Sequence, residues 1–455
     1  MQNRENGRME TRELVELLSA DGLRLLDSLP QYTSATDVLR TVSELRAAGH
    51  SPGLVASVLS QSKLRARASG KFGPFAERML FTEAGLEQAT RLRVAALHAG
   101  RFQTAGLRRV ADLGCGIGAD ALAMAALDLE VTAVEIDEVT AAIAAYNLAP
   151  WPNTTVVNAD VARFRPGKAG ETGPDADVGA NAGRSLSSAA ATSSAPSTMA
   201  ADHTTPIEAI MEAFDGVYLD PARRASGHQH SSRLTNPADF SPSLDFAFAL
   251  GEHLPTGIKL GPGVDRDLIP SEAEAQWVSV DHEVVELGIW FGAVARPGIR
   301  RAALVLGEHG SAELTSEADS EDVEVGPRGE YVYEPDGAVI RARLIGMLAR
   351  NLGASMLSDG IAYLSADTAV NTPFASCFHV LESFPFDEKL LRRELAARHI
   401  GRLEIKKRGV DVDPAQLRKR LSPKGNGSAT LIVTRVAGRH VALLAERVLF
   451  PADGA

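Results

Sequence analysis

An open α/β sheet, preceded by a helical region and followed by a small α+β domain, is the fold that this 455-residue sequence predicts. Three observations carry it. Short apolar runs that end in an acidic residue alternate with helix-length segments, the spacing of βαβ units. The first run, Arg109-Val110-Ala111, opens into Asp112-Leu113-Gly114-Cys115-Gly116-Ile117-Gly118-Ala119-Asp120, with glycines at alternate positions. Between Asp387 and Lys424 the pattern becomes short helices and strands dense in lysine and arginine.

Residues 1 to about 105 read as helices, with Leu14, Val15, Leu17 and Leu18, then Leu39, Val42 and Leu45, at helical spacing. The glycines that follow the first strand permit a tight turn and leave no Cβ to block a ligand lying across it. The N–H groups opening the next helix favour an electron-rich partner. Asp112 at the strand tip would repel a diphosphate and suits a ligand with a positive amino group. The second strand, Leu129 to Glu135, ends in a carboxylate able to accept both ribose hydroxyl protons. The third, Thr155 to Asp160, places Asp160 to accept from an exocyclic adenine amine. The cofactor-binding candidates are therefore Asp112, Gly114, Gly116, Gly118, Asp120, Glu135, its neighbour Ile136, and Asp160.

In this order, the motifs resemble the class I S-adenosylmethionine-dependent methyltransferases, whose nucleotide-binding half has a D-x-G-x-G-x-G loop, an acidic second strand tip and an Asp after the third strand. The resemblance implies a Rossmann-like seven-stranded sheet and S-adenosyl-L-methionine as cofactor, in preference to NAD. It also brings in the segment before the first strand, which in such enzymes often closes over the methionine end; Gln88, Thr82 and Lys71 are candidates there, against ordinary helix-start chemistry.

The fourth strand, Phe214 to Leu219, ends in Asp220-Pro221-Ala222-Arg223-Arg224. Ligands of open α/β sheets sit beyond the carboxyl ends of the strands, so Asp220, Pro221 and Arg223 are the catalytic candidates. Many amine-directed methyltransferases carry D-P-P-[YFW] here. This sequence keeps Asp220-Pro221 but has Ala222-Arg223 where the second proline and the stacking aromatic would be. Arg223 or Arg224 can instead stack on a base or hold a phosphate. The plainer reading makes Asp220 a turn cap.

A fifth strand runs through Gly257 to Leu260, with Lys259 expected as a solvated residue more than an anion contact. Val284 to Trp290 and Arg301 to Leu306 are expected as the sixth and seventh strands. Pro166 to Thr205, rich in Gly, Ala, Ser, Thr and Pro, is too poor in large apolar residues to order itself and reads as a disordered insert. The expected organisation is a helical region over 1–105, a methyltransferase domain over 106–307, an acidic linker over 308–328 and an α+β domain over 329–455.

Leu86 to Thr90, Asp112 to Asp120, Asp220 to Arg224, Lys259 to Asp265 and Glu404-Ile405-Lys406-Lys407-Arg408-Gly409 together are similar to a bacterial branch of these enzymes with a C-terminal THUMP-like domain. That resemblance implies RNA as the substrate. The charge pattern agrees: from Asp387 to Lys424 twelve basic residues face six acidic ones, in a chain whose net charge is −11. Glu388 to Arg398 has helical periodicity with Leu390, Leu391, Leu395 and Ile400 inward, Leu403 to Ile405 is a short strand, Pro414 to Leu421 is a helix capped by Asp413, and Ala429 to Val436 with His440 to Val448 is a hairpin. Lys406, Lys407, Arg408, Arg418 and Arg420 lie at element ends where phosphates can be reached, and are the RNA-binding candidates. A solvated charged face is the rival reading.

Two cysteines, Cys115 and Cys377, leave no disulfide framework or zinc site, and no metal is expected. The polar start and the lack of a membrane-length apolar run fit a cytoplasmic enzyme without a membrane partner. The expected activity is methyl transfer to a base of rRNA or tRNA. The alternatives are a small-molecule or protein methyltransferase, or an inactive cofactor-binding protein that binds RNA.

Overall fold

The computed structural model describes residues 11–29, 35–166, 205–223, 240–308 and 310–450. The expected insert, apart from its two end residues, and Arg224 lie outside the described residues. The chain divides into two compact units, residues 1–259 with 290–295, and residues 260–289 with 296–455.

In the first unit, helices Thr11–Leu17, Ala20–Ser28, Ala35–Ala47 and Pro52–Phe72 come first. Ser51 caps the last of these, its side chain accepting from the Leu54 N–H, with Pro52 at the first helical position. Leu14, Leu17, Leu54, Val58, Leu64 and Phe72 join one apolar core with Val110, Val131 and Ala133 of the sheet. The helical region thus shares its core with the sheet. Val15 and Leu39, expected on the apolar stripe, are exposed, because only one face of each helix meets that core.

Strands β1 (Arg109–Leu113), β2 (Glu130–Glu135), β3 (Thr154–Asn158) and β4 (Gly216–Leu219) pair in parallel in the order β3-β2-β1-β4, and Thr256–Leu260 pairs in parallel with β4. The chain leaves β1 in one direction for β2 and β3 and returns on its other side with β4. That reversal makes the carboxyl ends of β1 and β4 the topological switch point, where open α/β sheets bind ligands.

The second unit carries Glu274–Val280, most of Glu283–Phe291, Arg301–Gly307 and Gly310–Ser316. Among the described residues nine strands therefore precede the C-terminal sheet where seven were expected, setting aside the two-residue pair Ala222–Arg223 and Phe240–Ser241. Glu274–Val280 was concealed by its polar residues. All seven of its residues are buried, and Glu274 accepts from the Arg296 backbone N–H at 2.8 Å and from its guanidinium at 2.6 and 3.1 Å. Gly310–Ser316, inside the expected acidic linker, pairs antiparallel with Arg301–Gly307.

The same unit continues into a seven-stranded sheet with Tyr331–Pro335, Ala375–Pro385, Arg439–Arg447, Gly427–Val436 and Ile400–Lys407 in that order of pairing, extended beyond Tyr331–Pro335 by two short strands. Helices Glu388–Ala397 and Pro414–Leu421 cover one face through Leu391, Leu395, Leu417 and Leu421. Asp413 caps the second of them, accepting from the Gln416 N–H at 2.7 Å. The opposite face holds Val332, Tyr363, Phe378, Ile432 and Leu443.

Candidate active site

The glycine loop after β1 is held against β2. The N–H groups of Gly114 and Cys115 both donate to the Val134 carbonyl, at 2.8 and 3.0 Å. Gly114, Gly116 and Gly118 all have left-handed φ angles, of 89°, 56° and 86°. Gly114 is the tightest toward the site: a Cβ there would stand 3.3 Å from the Asp220 carbonyl oxygen. At Gly116 a Cβ would meet nothing within 4 Å, so the loop opens outward at that point.

Asp112, at the tip of β1, is 1% exposed, and among the described residues neither of its carboxylate oxygens has a hydrogen-bond partner within 3.5 Å in good geometry. Burial pushes this carboxyl well above the ordinary range. The Asp120 and Asp220 charges push the same way, and the Lys259 ammonium and the Ala121 backbone N–H oppose them without prevailing. A buried carboxylate left in this state is costly unless a cation or donor joins it.

Glu135, at the tip of β2, accepts from the Gly116 N–H at 3.0 Å and from the Asp137 N–H at 2.8 Å. Its pKa is raised by burial in spite of those bonds. Ile136 beside it is 62% exposed, an apolar surface at the rim. Asp160 caps a short turn after β3, accepting from the Ala162 N–H at 3.0 Å. Asn158 donates to the Glu135 and Ile136 carbonyls at 2.8 and 3.1 Å, tying the third strand end to the second.

Asp120 was expected beside the cofactor. Its oxygens are instead engaged by the protein, one accepting from the Thr90 hydroxyl at 2.6 Å and the other 2.9 Å from His98 Nδ1. The Tyr218 hydroxyl lies 3.0 Å from that same nitrogen. Burial disfavours the Asp120 charge, yet the His98 ring, Lys259 and Thr90 together hold the carboxyl below its ordinary value. The reason is geometric: Asp120 is in the first turn of helix Ala119–Ala125, every residue of which is buried, so its side chain meets protein rather than solvent.

Asp220 follows β4, and its carboxylate is ion-paired with Lys259. Lys259 Nζ also donates to the Gln88 carbonyl at 3.1 Å and to the Thr90 hydroxyl at 3.0 Å. Gln88 thus takes part through its backbone, while Thr82 caps helix Glu83–Gln88 and Lys71 holds the other end of that helix by its carbonyls. Pro221 is buried beside Asp220, and the Arg223 backbone pairs with Phe240. Lys259, expected to be solvated, has a side chain only 11% exposed. A lysine at the end of the strand beside the Asp220 strand was the available signal; its convergence with Thr90 and Asp120 was not readable from spacing.

Two Mycobacterium tuberculosis proteins, from strains CDC 1551 and H37Rv and each named an uncharacterized S-adenosylmethionine-dependent methyltransferase, are 32% identical to this chain over 399 residues, covering 86% of it and 94% of their own length. This chain belongs to the S-adenosylmethionine-dependent methyltransferases. A solved structure described as a methyltransferase from Porphyromonas gingivalis W83 shares the fold, with a TM-score of 0.64 at 19% identity, over 92% of this chain and all of that one. The THUMP domain-like family matches residues 375–447, and a domain of unknown function, DUF8688, matches residues 10–68.

The Asp120 and Asp220 charges disfavour a charge on Asp112, and the Lys259 ammonium opposes them. Among the described residues no group of three or more His, Cys, Asp or Glu side chains is placed to hold a metal, and no helix is long and apolar enough to cross a membrane.

The methyltransferase's THUMP-like domain distributes its charge unevenly. Lys406 pairs with Glu334 at 2.6 Å and Glu404 at 3.3 Å, Arg408 lies 3.8 Å from Glu334, and Arg420 makes a bidentate pair with Glu388. Lys407 and Arg418 are exposed and, among the described residues, have no acidic partner within 4 Å; Arg418 Nε donates to the Leu403 carbonyl at 2.8 Å.

Proposed function

We propose that this methyltransferase modifies a base of rRNA or tRNA, with Asp220 and Pro221 at the reacting centre and the THUMP-like domain holding the RNA. The observation that carries the RNA reading is the net +6 of residues 387–424 in a chain of net −11, with Lys407 and Arg418 exposed and unneutralised. Folded RNA is met by such local charge on backbone phosphates.

In this reading Asp112 holds the cofactor's ammonium, Glu135 the ribose hydroxyls, and Ile136 with Asp160 the adenine. The Gly114–Gly118 loop lies along the methionine and ribose. Bound S-adenosylmethionine supplies an electrophilic methyl, so the protein's work is alignment. Asp220 accepts a hydrogen bond from the nucleophile, Pro221 fixes the direction of the neighbouring carbonyl, and Arg223 lies next along the same strand end. A base taken from a duplex has to be swung out of its stack.

The test is transfer of labelled methyl from S-adenosylmethionine to deproteinised RNA from a strain lacking the gene. Transfer by the wild type, lost in Asp220→Ala, supports the reading. Equal transfer by both removes Asp220 from the chemistry, and transfer only to a metabolite or protein extract replaces RNA with that substrate class.

A further inference from the structure

The geometry points to Lys259 as a positioning residue for methyl transfer: it locks the Asp220 carboxylate and ties it to the Gln88–Thr90 turn that precedes the first strand. The inference rests on the placing of Asp220 at the reacting centre given above.

An ammonium has three N–H donors. At Lys259 they meet the Asp220 carboxylate, the Gln88 carbonyl and the Thr90 hydroxyl. The Lys259 side chain is 11% exposed, so water competes little for these donors, while the Asp220 side chain keeps 32% of its surface open toward solvent. The turn is gripped from its other side as well: Lys71 Nζ donates to the carbonyls of Leu86, Glu87 and Ala89 at 2.7, 2.8 and 3.0 Å. Thr90 in turn donates to Asp120 in the first turn after the glycine loop. Rotation of Asp220 therefore requires breaking an ion pair whose cation is largely buried and anchored at two further points.

An acceptor fixed in this way aligns a nucleophile without paying for its own ordering at the moment of reaction. Lys259 acts through Asp220 and does not touch substrate. Its removal lowers kcat, leaves cofactor binding nearly unchanged, and adds nothing once Asp220 is already altered.

The experiment is a double-mutant cycle on the full chain with Lys259→Met, Asp220→Asn and the double variant. The readouts are S-adenosylhomocysteine affinity by calorimetry and kcat and KM for methyl transfer to RNA from a strain lacking the gene. Lys259→Met is expected to lower kcat on the order of 10- to 100-fold and to keep S-adenosylhomocysteine affinity within about threefold. The double variant is expected to be no slower than the slower single one. Independent, multiplying losses, or an unchanged kcat in Lys259→Met, overturn the inference.

Should Lys259→Met fail to fold, Lys259→Arg carries the test. It keeps the charge but replaces a tetrahedral donor set with a planar fork. A fall in its kcat at constant KM for S-adenosylmethionine supports the inference, and an unchanged kcat overturns it. Wild-type transfer to a metabolite or protein extract instead of RNA discards the RNA reading alone, and the cycle is then run on that fraction. Transfer to none of the three overturns both.

Discussion

Asp220 and Lys259 each stand one residue beyond Leu219 and Ile258, which pair across neighbouring parallel strands, and their side chains close an ion pair at that sheet edge. Parallel pairing sets adjacent strand ends side by side, so two residues 39 positions apart become partners through register alone. The same edge carries Asp112 on the strand next to β4. The residues proposed to hold the cofactor and the reacting group are thereby gathered at one place, the switch point of the sheet.

Asp112→Asn is expected to separate stability from binding. The carboxyl's folded pKa lies above its unfolded value of 3.8. The folded state therefore holds a proton that the unfolded state has released, and stability falls as pH rises from that value toward the raised one. Removing the charge is expected to stabilise the ligand-free protein by about 1 kcal/mol at neutral pH while weakening S-adenosylhomocysteine binding by roughly tenfold or more. Thermal melts with and without ligand check both signs.

Binding of S-adenosylhomocysteine, which carries the ammonium, is expected to release a proton from Asp112. Calorimetric enthalpies measured in buffers of different ionisation heat report that proton, and Asp112→Asn is expected to abolish the buffer dependence. A buffer dependence that survives the substitution would remove Asp112 as its source.

Gly114→Ala meets two obstacles, a φ of 89° and the Asp220 carbonyl at 3.3 Å from the new Cβ. The left-handed backbone costs about 1 to 2 kcal/mol, seen as a lowered Tm. The contact with Asp220 is expected to lower kcat beyond what the lost stability explains. Gly116→Ala, with open space around its Cβ, is expected to show the backbone cost without the contact.

Thr90→Val withdraws a donor from the buried Asp120 and an acceptor from Lys259. The expected cost is about 1 to 3 kcal/mol. Asp120's depressed pKa contributes stability that is present above 3.8 and is lost as pH falls through the lowered value. Stability measured against pH is expected to show a shallower acid limb in the variant.

In the THUMP-like domain, Lys407→Ala and Arg418→Ala are each expected to weaken RNA binding and reduce the slope of log affinity against log salt by roughly 0.7 to 0.9. Arg420→Ala is expected to change the slope less, because Glu388 already neutralises that guanidinium. Equal slopes for all three variants and the wild type would discard the basic face as the RNA contact.

The sequence by itself determined what is local. A strand, alternate glycines and a helix start are contiguous, so their backbone angles follow from residue type. The helix Pro414–Leu421 with its Asp413 cap and the hairpin of Gly427–Val436 with Arg439–Arg447 follow from periodicity and turn residues. Only the tertiary structure decided which charges meet. Asp120 turned to Thr90 and His98, Lys259 to Asp220, Arg420 to Glu388, and Lys406 to Glu334, all across spans that spacing cannot resolve. The strand Glu274–Val280 is illegible in the sequence for the same reason: its buried glutamate is met by Arg296, 22 positions away. Burial makes a lone charge expensive, so a charge's role is set by the partner that folding brings to it, and that partner is distant in the chain.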